Sequence, residues 1–167
     1  MIDFEPGYLT ALAGSAGVAI LVAGAGGAMT NTGSWYRMLR FPGWKPPDWA
    51  FGPIWTVVLV CATLGAAHGI HAAPDHETLV MSLTVLGLNA ALNILWNILF
   101  FALRRPDWAF VEVVIFWLSI LLIIIVMGSY APFAALYFLP YLLWVGVASL
   151  LNWRIVTLNR PFGRGTS

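Results

Sequence analysis

The chain has 167 residues, of which 60% are hydrophobic and only 9% charged. That balance excludes a water-soluble domain, in which about a quarter of residues are charged. A formal net charge of +1 leaves no basic stripe for nucleic acid, and a single cysteine, Cys61, inside an apolar segment excludes a disulfide framework or a thiolate metal cluster.

Taken in order, the apolar stretches predict five spans, at about 8–29, 49–67, 79–103, 108–127 and 132–158. The expectation is an all-α integral membrane bundle, multi-pass, in which residues 1–167 form a single five-helix transmembrane domain. The basic residues Arg37, Arg40, Lys45, Arg104, Arg105, Arg154, Arg160 and Arg164 fall into three clusters separated by pairs of spans. Lys and Arg are retained on the cytoplasmic-type side during insertion, so all three clusters are expected on one side. Asp3, Glu5, Asp75, Glu77 and the uncharged turn from Ser129 to Pro132 are left opposite, with the N-terminus outside and the C-terminus on the positive side. The first stretch follows acidic residues rather than a basic n-region and lacks a convincing cleavage site, so it is read as a retained helix.

The first span carries Gly14, Gly17, Gly24, Gly26 and Gly27 among alanines, a composition that predicts close helix packing. The loop 30–48 follows, with Trp35, Tyr36, Phe41, Trp44, Pro46 and Pro47. At about 19 residues it is long for a tight bundle. Two readings stand: a lid folded over the helix ends, which its aromatic content favours, or rings resting in the headgroup layer as an aromatic belt.

The second and fourth spans open on the same pentapeptide, Pro-Asp-Trp-Ala-Phe, at Pro47 and at Pro106. Asp48 and Asp107 are predicted to cap backbone N–H groups, with Trp49 and Trp108 at the interface. The flanks do not match, so this is a shared start signal rather than a duplication. Between the second and third spans His68, His71, Asp75, His76 and Glu77 cluster, but without a fixed ligand pattern such as HExxH, and no metal is expected there.

In the third span Gly87 and Ala91 have the small-xxx-small spacing of an internal contact or a homodimer face, the latter slightly favoured. Asn89, Asn93 and Asn97 recur every four residues and share one face with Trp96 and Phe100. Such a stripe is costly against lipid and points inward. Glu112 is the one acid well inside a span, about a turn into the fourth, where the helix dipole favours an anion; a structural role is favoured over a proton relay. In the fifth span Tyr137, Tyr141, Trp144, Ala148 and Asn152 follow helical spacing, and Pro140 is predicted to kink the helix mid-span.

Counted at 1.5 Å per residue, Trp55, Trp96 and Trp144 lie about 9, 12 and 15 Å below the basic side, and Asn93 about 16 Å. Flat rings with a few amides at that depth suit a large, flat, poorly soluble ligand such as a tetrapyrrole or a sterol. No Ser/His/Asp or Cys/His arrangement, phosphate loop or carboxylate pair is present, so hydrolytic chemistry has no candidates.

From about Trp35 to Asn159 the chain resembles the translocator protein family (TspO, the peripheral benzodiazepine receptor family), in its bacterial type. Three blocks carry the likeness. The first is Trp35-Tyr36 with Pro42-Gly43-Trp44-Lys45-Pro46-Pro47-Asp48-Trp49-Ala50-Phe51-Gly52-Pro53-Ile54-Trp55. The second is Asn89 through Asn93 with Trp96 and Phe100-Phe101. The third is Leu139-Pro140-Tyr141-Leu142-Leu143-Trp144 with Ala148, Leu151-Asn152 and Leu158-Asn159.

The resemblance implies a five-helix membrane protein, commonly a homodimer, that requires no cofactor. It would bind porphyrins such as protoporphyrin IX or heme and, in some members, cholesterol and benzodiazepine-type ligands. In related proteins the first loop roofs the pocket, and Tyr36, Pro46, Trp55, Asn93, Trp144 and Ala148 match positions that contact ligand. Some bacterial members degrade porphyrin in a light-dependent reaction that involves tryptophans matching Trp55 and Trp144, the candidate catalytic residues here. The family's cholesterol motif places a tyrosine after Leu-Asn, whereas this chain reads Leu151-Asn152-Trp153-Arg154, which favours a tetrapyrrole over a sterol. Spacing and resemblance together nominate Tyr36, Trp44, Pro46, Trp49, Trp55, Asn89, Asn93, Trp96, Asn97, Tyr141, Trp144, Ala148 and Asn152 as the ligand site.

Overall fold

The computed structural model describes residues 6–162, so Asp3, Glu5 and Arg164 of the charge pattern lie outside the described residues. Among the described residues every regular element is helical. They are α1 (Pro6–Met29), α2 (Ser34–Met38), α3 (Asp48–His71), α4 (His76–Asn97) continued by a π-helical turn (Ile98–Ala102), α5 (Pro106–Gly128), α6 (Pro132–Leu136) and α7 (Leu139–Asn159). Five stretches are long and apolar enough to span a bilayer: Gly7–Met29, Asp48–His71, His76–Ala102, Pro106–Gly128 and Pro132–Asn159. The protein is a multi-pass integral membrane protein.

The most apolar of the five, α5, is the centre of the bundle. Val113, Phe116, Ile120, Ile123 and Met127 are essentially inaccessible and pack with Val85 of α4, Phe138, and Tyr141 and Val145 of α7. A helix apolar all round can be buried on several sides at once, and this one has neighbours on both flanks.

The fifth span departs from expectation. It does not run through Pro140 with a mid-span kink; it stops at Leu136, turns, and restarts at Leu139 with Pro140 in the first turn of α7. Proline has no N–H to give to residue 136 and its ring crowds that carbonyl, whereas in a first turn neither matters. Tyr137 therefore leaves the face it was predicted to share with Tyr141 and stacks on His68 instead, ring centroids 5.8 Å apart. The corner seats Phe138 against α3, where a Cβ on Gly65 would lie 2.8 Å from the Phe138 ring and 2.9 Å from the Ala134 carbonyl. Only glycine admits that approach.

The first span also departs from expectation. Only 6% of its spanning window is buried, and a Cβ added at Gly14, Gly17, Gly24 or Gly27 would meet nothing within 4 Å. These glycines do not mark a closely packed face. Of the predicted set only Gly26 has a neighbour, the Asn97 amide. α1 pairs with α3 more extensively than any other two helices pair, and at its N-terminal end Tyr8 and Ala11 pack with Ala67.

The aspartates of the repeated pentapeptide open α3 and α5 as expected but do not cap them; neither helix has a side-chain cap hydrogen bond. Asp48 is taken by Lys45 and by the Tyr36 hydroxyl, which donates at 3.2 Å, and Asp107 accepts from Arg105 Nε and Nη2 at 2.8 and 2.6 Å. A cationic donor outcompetes a backbone N–H for a carboxylate. The residue that does cap is Asp75, which accepts from Thr78 N at 2.8 Å and opens α4; that bond holds its carboxyl below the ordinary value. His68 and His71 face Tyr8 instead of gathering with Asp75, His76 and Glu77, and among the described residues no His, Cys, Asp and Glu group has the geometry of a metal site.

Candidate functional site

A cavity of about 800 Å³ lies between α1 and α3, with one edge on α4. Its size falls within the about 300–1,000 Å³ usual for small-molecule sites. From α1 come Ala16, Ala19, Ala23, Gly26 and Gly27, small residues that hold back from the neighbouring helix and leave the space. From α3 come Asp48, Phe51, Gly52, Trp55, Leu59 and Thr63, and from α4 Asn93 and Asn97. Ile20 and Val60, 72% and 53% exposed, lie on its lipid-facing side, so the cavity opens sideways toward the bilayer.

The asparagine stripe supplies its polar edge. Asn93 is 3% exposed; its Nδ2 donates to the Tyr141 hydroxyl at 2.9 Å, and Asn97 Nδ2 donates to the Asn93 backbone carbonyl at 2.9 Å. Trp55 stands on the opposite wall, its ring edge-on to that of Tyr141 with centroids 6.0 Å apart. The site is thus an aromatic wall facing two ordered amides, suited to a flat apolar body with a few polar atoms.

The predicted residues divide into groups. Trp55, Asn93 and Asn97 line this cavity, while Asn89 and Tyr141 line a second one on the other flank of α1. Trp96 and Asn152 are bonded to each other at the basic end: Trp96 Nε1 donates to Asn152 Oδ1 at 3.1 Å, and Asn152 Nδ2 donates to the Pro106 carbonyl at 2.8 Å. Trp144 lies behind Phe51, ring centroids 5.6 Å apart, so Phe51 and not Trp144 meets the cavity; Ala148, one turn further along α7, does not line it either. Trp44 and Trp49 are 51% and 76% exposed and do not line it.

The first loop folds back over the helix ends. Tyr36 is buried against Phe41 and Phe101, and Trp35 sits edge-on to Phe100. The backbone of Arg40 is clasped by Asn159 at the end of α7, whose Oδ1 accepts from Arg40 N at 2.8 Å and whose Nδ2 donates to the Arg40 carbonyl at 2.9 Å. The π-helical turn turns Phe100 inward, 3% exposed, and Arg104 then takes a left-handed φ of 53° to enter α5. Half-buried Pro46 lies in the loop segment that leads to the cavity rim, which the loop reaches at Asp48 through Lys45 and Tyr36. Burial first, and then the Asp48 carboxylate, push the Tyr36 phenol well above its ordinary pKa.

Sequence reasoning missed the whole α1 wall and Phe51. The run of glycines and alanines was the available signal, but small residues serve close contact and empty space equally well. It also missed the Asn159 clasp, for which no local pattern exists.

Residues 15–158 match the TspO/MBR family. The chain is similar to Protein CrtK of Rhodobacter capsulatus, 34% identical over 142 residues that cover 85% of this chain and 89% of the relative. It is similar to Tryptophan-rich protein TspO of Archaeoglobus fulgidus, 34% identical over 85% of this chain and 93% of that one, and to Translocator protein of Homo sapiens, 29% identical over 78% of each. With a five-span helical bundle and a family match over most of its length, the chain belongs to the TspO/MBR family.

Proposed function

We propose that this protein binds a tetrapyrrole, protoporphyrin IX or heme, in the cavity between α1 and α3, for sensing, transport or regulation. The observation that carries the reading is the pairing of Trp55 and Phe51 with the ordered amides of Asn93 and Asn97 across about 800 Å³ at bilayer depth. The clasped first loop is the lid of this reading, and its bond from Tyr36 to Asp48 supports a role at the cavity rim. The basic ends of the spans face the cytoplasmic-type side. The exposed Gly87 and Ala91 of α4 are the proposed homodimer face.

The test is a dark titration of the detergent-solubilised protein with protoporphyrin IX, read as tryptophan quenching. Gly27 lines the cavity and a Cβ there meets nothing within 4 Å, so Gly27→Leu puts an apolar side chain into the cavity. Saturable quenching by the parent protein that is lost in a folded Gly27→Leu variant supports the reading. Quenching that survives the plug places the ligand elsewhere, and absence of saturable quenching turns the search to sterols.

A second reading, light-dependent degradation of the bound pigment, is favoured by the position of Trp55 on the cavity wall. Illumination of the complex would then remove pigment faster than in a protein-free control, and Trp55→Phe would slow the loss more than Trp144→Phe, since Trp144 is one ring further back. A stable pigment leaves a binder alone.

A further inference from the structure

A groove of about 470 Å³ runs along the bilayer side of the bundle between α5 and α7. Gly146 leaves the space at its deep end, opposite Trp117, while Phe110 and Trp153 wall the end nearer the basic clusters. Val114 and Leu150, 45% and 58% exposed, open it to the bilayer. From Phe110 to Trp117 it covers about 10 Å of helix, a length that fits within one leaflet. Its donors are spent: Trp117 Nε1 donates to the Leu142 carbonyl at 3.0 Å, and Ser149 Oγ to the Val145 carbonyl at 2.7 Å. At depth the groove therefore takes hydrocarbon and has no free N–H or O–H for a polar atom. The chemistry changes at the basic end. There the Arg154 guanidinium lies over the Trp153 ring, 5.6 Å from its centroid, and it has no ion pair among the described residues. On the α5 side Asp107, one turn before Phe110, is already taken by Arg105 Nε and Nη2 at 2.8 and 2.6 Å. The groove thus ends on one uncompensated cation and a carboxylate that is already neutralised.

We propose that this groove is a binding site for an anionic phospholipid, with one acyl chain between α5 and α7 and the phosphate on Arg154. A guanidinium presents a planar fork of donors that matches phosphate oxygens, and cationic pockets between spans are suited to anionic headgroups. Topological retention asks only for a cation on this side of the membrane, not for one laid over a ring that lines a groove. The ammonium of a zwitterionic headgroup finds no unspent carboxylate, because Asp107 belongs to Arg105. An uncharged headgroup leaves the Arg154 charge without a counter-ion. The site is independent of the porphyrin reading, since no residue that lines this groove lines either cavity beside α1.

The experiment uses the full chain in nanodiscs with phosphatidylglycerol bearing a diazirine in one acyl chain, and maps photolabelled residues by mass spectrometry. The expected result is labelling of α5 between Phe110 and Trp117 and of α7 between Gly146 and Trp153. Unlabelled phosphatidylglycerol should displace the probe about tenfold better than phosphatidylcholine of the same chains, a factor that corresponds to one charge-assisted hydrogen bond. Arg154→Gln should remove that preference while leaving the weaker labelling by a phosphatidylcholine probe as it was, and Arg154→Lys should restore most of it. Both variants should keep the parent melting temperature and the parent response to protoporphyrin, which separates loss of the headgroup contact from misfolding. Equal displacement by the two phospholipids, or a preference that Arg154→Gln retains, overturns the proposal in favour of an unspecific acyl chain. Displacement by cholesterol better than by phosphatidylglycerol overturns it in favour of a sterol, and labelling that maps to other helices overturns it outright.

Discussion

The Asn93 amide donates to the Tyr141 hydroxyl at 2.9 Å, and that bond stands between the two cavities that flank α1: Asn93 lines one and Tyr141 the other. Both residues are 3% exposed, so neither has water to fall back on. Tyr141→Phe keeps the ring against Trp55 and Phe116 but strands the Asn93 Nδ2. The expected loss is about 1–3 kcal/mol of stability, seen as a lower melting temperature in detergent. An unchanged melting temperature would mean that a lipid or a water satisfies the amide.

Asn152 joins three elements, since it accepts from Trp96 of α4 and donates to the Pro106 carbonyl at the start of α5. At 1% exposure it has no alternative partner in solvent. Asn152→Ala strands the Trp96 indole N–H and removes the side-chain bond to the Pro106 carbonyl, and is expected to cost roughly 1–3 kcal/mol. Trp96→Phe loses the same indole bond and part of the ring area but leaves Asn152 bonded to the Pro106 carbonyl, so it should cost less. The order of the two melting temperatures decides whether Asn152 is the joint it resembles.

The number of spans was legible in the sequence because 20-residue apolar runs separated by charge have few other solutions in water or lipid. The inward turn of Asn89, Asn93 and Asn97 was equally legible, since three amides at helical spacing are too costly against lipid. Sharing of one pocket by Trp55, Trp96 and Trp144 was not legible. Similar depth along three helices says nothing of rotation about each axis, and here Trp96 turns to Asn152 while Phe51 screens Trp144. The break before Pro140 and the open face of α1 depend on contacts between distant segments, Phe138 with Gly65 and the absence of a neighbour at Gly14, which no local window contains.

The clasp between Asn159 and the Arg40 backbone holds the first loop to α7 with two hydrogen bonds at 2.8 and 2.9 Å. Asn159→Ala releases the loop while the residues of the cavity wall stay in place. Ligand dissociation, followed by stopped-flow recovery of tryptophan emission, is expected to speed up about tenfold or more, the worth of one to two such bonds. Replacing Pro46 and Pro47 together by alanine loosens the same loop through backbone entropy and should act in the same direction. Unchanged off-rates in both would mean that the loop is no lid.

The same loop carries a prediction about pH. Burial and the Asp48 carboxylate raise the Tyr36 pKa above its ordinary value. A folded-state pKa above the unfolded one gives a contribution that is fully present below the ordinary phenol range near pH 10 and is lost only as pH rises through the folded value. Ligand off-rates should therefore stay flat from about pH 6 to pH 9 as far as Tyr36 is concerned. Tyr36→Phe keeps the ring against Phe41 and Phe101, loses the bond to Asp48, and should loosen the rim equally at every pH in that range. An off-rate that climbs in the parent protein but not in Tyr36→Phe would show that the phenol ionises early.

Glu112 is 6% exposed on α5, and neither of its carboxyl oxygens has a hydrogen-bond partner among the described residues. A structural role through the helix dipole would ask for an exposed or bonded carboxylate near the first turn, whereas burial without a partner is costly in any protonation state. Glu112→Met fills the same volume without polar atoms and should raise stability by about 1–3 kcal/mol, with protoporphyrin quenching unchanged because Glu112 does not line the cavity. Glu112→Gln keeps the burden of an unbonded polar group and should change stability little. If Glu112→Met instead lowers the melting temperature, the carboxyl has a partner in the membrane. A proton or cation held there would then make this residue a relay, to be sought in a dependence of ligand transfer on pH that Glu112→Gln removes.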